Sequence, residues 1–195
     1  MAVSTAKSVN VTLLDATPRV PLEAASVRGK VRTFMDTRAL VTADTSDDGD
    51  VWYMAEVPSN AKIISIKLYN DVIDAHATPT LDANLGVYNG GTKFTTSAGT
   101  TYAADALIDE NAYGDVGTGT LLTSTTSTFL GVANVAGTEL AYAVRNINLI
   151  NNFVWEDCGL PEDPNVPLRI AFTVAVAAAT HQDGDISVVV TYAQE

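Results

Sequence analysis

The chain is short of the side chains that metal, redox and nucleic-acid chemistry depend on. Its 195 residues include one cysteine, Cys158, and two histidines, His76 and His181. A single thiol excludes an internal disulfide and any cysteine-based zinc site, and it fits synthesis in a reducing compartment. Two histidines far apart in sequence exclude a histidine-rich metal site of the cupin type. Basic residues are scarce as well: 11 Lys+Arg stand against 23 Asp+Glu, a net charge of −12. Each phosphate contact needs Lys or Arg, so this balance argues against general nucleic-acid binding, and equally against an anionic membrane surface. Long hydrophobic runs are missing. The longest, Leu168 to Ala179, is interrupted by Arg169 and Thr173 and is too short to span a bilayer. Residues 1–14 contain no apolar run flanked by basic residues, so no secretory signal is expected.

What is present points to strands. The 24 threonines and 22 valines favour pleated, half-buried segments. Period-two alternation sets Val9, Val11 and Leu13 on one face, then Ile64, Ile66 and Leu68, then Leu168, Ile170, Phe172, Val174 and Val176, and finally Ile186, Val188, Val190 and Tyr192. Weaker candidates run over Val27–Phe34, Val51–Val57, Leu85–Tyr88 and Tyr102–Ile108. Turn residues separate them at Asp47-Asp48-Gly49-Asp50, at Asn89-Gly90-Gly91 and at His181–Asp185. The last of these is read as joining the final two strands in an antiparallel hairpin. The expected fold is all-β: a single-domain antiparallel β-sandwich or jelly roll of about eight strands with one short helix. Residues 1–26 are expected to form an N-terminal strand and extended arm, and 27–195 the sandwich. Part of Glu139–Cys158 is expected to be helical, capped by Gly159 and stopped by Pro161. Residues 114–131, rich in Gly, Thr and Ser, are expected to form a loop or edge strand.

Candidate reactive groups give little. His76 and His181 lie in polar loops without a nucleophile elbow nearby, and both are read as exposed loop residues. No basic residue close in sequence activates Cys158, which reads as a buried structural thiol. Asp44, Asp47, Asp48 and Asp50 crowd around Gly49, yet their spacing is not that of an EF-hand and Ala55 stands where its glutamate belongs. The glycines of 114–131 do not form a phosphate-binding loop. No catalytic residue, cofactor or metal is expected. Charge is distributed unevenly, however. Residues 1–38 hold six basic groups against three acidic ones, net +3, leaving −15 for the remainder. Arg28, Lys30 and Arg32 are spaced by two, which places them on one face of a strand. They either pair with carboxylates of a neighbouring strand or form a docking surface for an acidic partner or for the acidic body of a neighbouring copy, with Arg19 in the preceding proline-containing arm.

Three stretches carry a family resemblance: Val57–Asp71 (VPSNAKIISIKLYND); Leu85-Gly86-Val87-Tyr88 with Tyr102–Ile108; and Val154–Pro164 (VWEDCGLPEDP) followed by Ser187–Tyr192. Together they resemble small structural proteins of tailed bacteriophages, the head decoration or cement proteins. The resemblance implies a non-enzymatic virion component, made in the host cytoplasm and bound to the capsid exterior. There it would grip the major capsid protein as homotrimers at local threefold positions and stabilise the head. It also implies that Pro58 and Asn60 set a turn, that Trp155 anchors packing, and that Gly159-Leu160 ends a short helix. Self-association is expected to cover the apolar row Ile63/Tyr69 on an edge strand. The alternative function is a glycan-binding β-sandwich, for which Trp52 and Trp155 are the available tryptophans.

Overall fold

A computed structural model describes residues 16–18, 29–114, 134–141 and 149–194. In chain order the strands are β1 (Lys30–Leu40), β2 (Val51–Pro58), β3 (Lys62–Asn70), β4 (Asp82–Asn89), β5 (Phe94–Thr95), β6 (Thr101–Tyr102), β7 (Leu107–Gly114), β8 (Asn134–Glu139), β9 (Pro167–Val176) and β10 (Gly184–Gln194). Among the described residues the α-helix is α1 (Val154–Asp157), which precedes β9. Eight of the strands form two four-stranded antiparallel sheets, ordered β1-β10-β3-β8 and β2-β9-β4-β7, while β5 and β6 make a small separate ribbon. Within the two sheets β1 pairs with β10, β2 with β9, β3 with β8 and β4 with β7. A long antiparallel hairpin rolled into two layers gives this pairing, which is the jelly roll. Among the described residues no helix is long and apolar enough to cross a membrane.

The core lies between the sheets and is built from the alternation read in the sequence. Leu168, Ile170, Phe172 and Val174 of β9 face Ile186, Val188 and Val190 of β10, all buried, and Trp52 closes the layer from β2. The final two strands therefore do not form a hairpin; they lie in opposite sheets, and residues 177–183 cross the end of the sandwich. Two strands that face one another across a core show the same period-two pattern as two that pair side by side, so the pattern could not distinguish them. In β3 the register against β10 shifts between Thr191 and Tyr192. As a result Ile63 points into the core with Ile66 and Leu68, while Ile64 is exposed. β3 is also an interior strand, so the Ile63/Tyr69 row is not an exposed edge.

Of the expected helical stretch, α1 is the part described, and residues 142–148 fall outside the described residues. Gly159 adopts φ +70°, the left-handed conformation that ends the helix, and the Leu160 N–H returns to the Trp155 carbonyl at 3.0 Å. Two of the quoted motifs meet here. The Val154 and Trp155 N–H groups donate to the carbonyls of Ala61 and Ser59, and the Ser59 hydroxyl donates to the Asp163 carboxylate. The Val9–Leu13 strand and nearly all of the 114–131 segment lie outside the described residues.

Candidate interaction surfaces

The crossover end of the sandwich gathers Asp44, Asp47, Asp48, Asp50, Asp71, Asp74, Asp183 and Asp185 from loops and strand ends that are remote in sequence. Most of these carboxylates hold backbone. The Asp48 carboxylate accepts the Ala177 N–H (3.0 Å), Asp50 that of Asp47 (3.2 Å), and Asp71 that of Asp185 (3.0 Å). Asp74 is the keystone. Fully buried, it accepts N–H groups from His76 and Thr180 at Oδ1 and from Thr80, Leu81 and Ala179 at Oδ2, at 2.8–3.1 Å. Burial alone would push its carboxyl up, but the donors from Thr80, Thr180, His76 and Ala179 outweigh it and hold the group below the usual carboxylate range. For Asp44 burial again acts upward, and the Val41 N–H, the Arg38 guanidinium and His181 together bring the net shift down. Among the described residues no group of acidic, histidine or cysteine side chains is arranged to hold a metal ion.

His181 is not the exposed loop residue expected from its sequence. Its Nδ1 lies 2.7 Å from Thr45 Oγ1 and its Nε2 2.9 Å from Asp183 Oδ1, an order of groups reminiscent of a nucleophile, base and acid. Thr45, however, is 0% exposed, so no substrate reaches its hydroxyl. The relay fastens the turn after β1 to the crossover instead, and Trp52 Nε1 donates to the Asp44 carbonyl (2.7 Å) in the same place. His76 is exposed and accepts the Thr78 N–H at Nδ1 (3.0 Å). Cys158 is buried, and that burial, with Asp109 and Asp157 nearby, pushes its thiol up to about 12, far from a nucleophile.

Lys30 and Arg32 lie at the opposite end of the sheet, in the first turns of β1. They share one face, as their spacing predicts, and both are exposed. Directly across the ladder stand Gln194 and Tyr192, so among the described residues no carboxylate of the adjacent strand stands opposite them. Arg28 and Arg19 lie outside the described residues. One chain thus carries an aspartate-rich end and a basic end on the same sheet. By contrast, Arg169 on the outer face of the second sheet is fully engaged. It pairs with Glu56 (3.1 Å) and Asp105 and lies 5.4 Å from the Tyr53 ring centre, while Tyr53 packs edge-on against Tyr88 at 5.4 Å. Trp52 is buried and therefore not free to stack on a sugar ring, while Trp155 is half-buried and packs against the core.

Sequence reading missed the exposure of β1 itself. Val31 is 64% and Met35 70% exposed, and of the eleven residues only Phe34 and Leu40 are even partly buried. The alternation in KVRTFMDTRAL resembles a half-buried strand, but the second sheet does not extend beneath most of β1. A surplus of alternating charge on the nominally inward face was the available signal.

No family model and no curated protein matches this chain. Among solved structures it is similar to a chain of the capsid of Ralstonia phage GP4 (15% identity, TM-score 0.54) and to one of the cyanophage Pam1 capsid asymmetric unit (20%, TM-score 0.47). Each similarity covers 86% of both chains. The jelly-roll sandwich of this chain is therefore a fold also found in a phage capsid.

Proposed function

We propose that the chain is a non-enzymatic structural protein of a virion, a decoration or cement protein that binds the exterior of the major capsid protein lattice and stabilises the head. The observation that carries this reading is the fold shared with a chain of the Ralstonia phage GP4 capsid, combined with the burial of Cys158 and the engagement of His181. Arg19, Arg28, Lys30 and Arg32 are the proposed contacts to the capsid, because Lys30 and Arg32 stand exposed and without carboxylates across the ladder. Charge complementarity of this kind sets register and encounter rate, and many copies on a lattice turn modest contacts into a durable shell. Copies are proposed to group as homotrimers at local threefold positions.

The test is binding of purified protein to undecorated heads, read as occupancy in stained gels of sedimented particles. Replacing Lys30 and Arg32 with Glu should reduce occupancy at least tenfold and remove any gain in thermal resistance of the heads. Full occupancy by that variant would refute the assignment of these residues, and no binding by the wild type would refute the decoration reading.

A further inference from the structure

Four strands border the two sheets, and three of them carry features that discourage pairing with another chain. β2 has a register shift after Tyr53 and ends in Pro58; β7 meets β4 with two register shifts; β8 is six residues long and also shifted. Short length, bulges and proline are the usual devices that blunt a sheet edge. β1 has none of these. It runs for eleven residues without proline, in unbroken register with β10, and among the described residues β10 is the only strand it pairs with. Charges are its only guard, and they are of both signs. Arg38 is already paired with Asp44 (2.6 Å) and Asp36 Oδ1 accepts the Thr37 N–H (2.8 Å), which leaves Lys30, Arg32 and the second oxygen of Asp36.

We infer that β1 pairs antiparallel with β1 of a second copy of this chain about a twofold axis at Thr33, joining the two first sheets into one. In that register Lys30 stands opposite the partner's Asp36, Arg32 opposite the partner's Phe34, and Val31 opposite the partner's Met35. Each pairing occurs twice, because a twofold contact is self-complementary. The two most exposed large apolar side chains of the strand cover one another, and a cation lies beside an aromatic ring. Neighbouring registers fail on charge. Centring on Arg32 opposes Arg32 to itself, centring on Phe34 opposes Lys30 to Arg38, and centring on Met35 opposes Arg32 to Arg38. The alternating charges thus select a register rather than forbid pairing. The contact uses the in-plane edge of β1, shares the Lys30 and Arg32 side chains with the proposed capsid contact, and is compatible with a threefold cluster formed by other surfaces.

Cross-linking of the free protein tests this. In the stated register Thr33→Cys places two thiols on directly opposed residues, with Cβ atoms about 5 Å apart. Met35→Cys separates them by four residues along the strand, about 13 Å. Cys158 is buried and does not compete. With a thiol cross-linker of about 8 Å reach, a length that falls between these two separations, T33C should give a covalent dimer and M35C should not. Asp36→Lys added to T33C should cut the dimer yield at least tenfold, and the double exchange Lys30→Asp with Asp36→Lys should restore it, with circular dichroism confirming the fold of each variant. Absence of dimer with T33C, equal yield with M35C, or indifference to Asp36→Lys would each overturn the inference.

Discussion

Replacing Asp74 with Asn exchanges one carboxylate oxygen for an NH2 group and changes almost nothing in shape, so the outcome depends on hydrogen bonding and charge rather than on packing. The carboxylate serves five backbone N–H groups from two connections, 76–81 and 179–180, and is fully buried. An amide can keep the two donors at Oδ1 but turns an NH2 group toward the three at Oδ2. A buried donor left without an acceptor costs about 1–3 kcal/mol, and such costs within one network do not add fully. The expected loss is therefore about 3–5 kcal/mol, a large fraction of the roughly 5–15 kcal/mol typical of a domain. Urea unfolding at pH 7 followed by fluorescence suits the question, because buried Trp52 is hydrogen-bonded at the same end of the sandwich.

The pH dependence gives a second reading of the same prediction. Asp74 and Asp44 both titrate lower when folded than when unfolded, so their stabilisation is complete above the ordinary aspartate value. It is lost as pH falls below about 4 toward the folded values. Wild-type stability should thus decline over that acid range, and the Asp74→Asn profile should be flatter. A loss under 1 kcal/mol at pH 7, or an unchanged acid slope, would refute the keystone role of Asp74.

Other consequences follow from close packing. Gly86→Ala should destabilise by several kcal/mol in the same unfolding assay, because a Cβ there would collide with the backbone carbonyls of Asp109 and Glu110, which fold over β4. Cys158 should resist a thiol reagent at pH 7 in the folded protein and react at once in denaturant; rapid labelling of the native chain would contradict its burial and raised pKa.

The sequence revealed the parts of this fold that depend on neighbours in the chain. Alternation identified the inward residues of β10 and, apart from Val176, which is exposed at the strand end, those of β9, and Pro58 to Asn60 marked the turn against which α1 packs. Sheet membership was not legible, because Phe172 and Val188 bury the same way whether their strands pair or face each other. Ile64 was misassigned since a bulge in a ladder is a property of two strands together. Asp74 gave no local signal: its donors come from residues about a hundred positions apart, and only the fold brings them to one carboxylate. The basic stripe was legible as spacing, whereas its exposure followed from the second sheet ending short of β1.

The proposed function is attachment to the outside of a capsid. The most direct measurement is an electron cryomicroscopy map of undecorated heads incubated with the purified protein, compared with untreated heads. Added density of jelly-roll size is expected on the outer surface at symmetry-related lattice positions. Absence of that density, or density confined to the inner surface or to the tail, would contradict it.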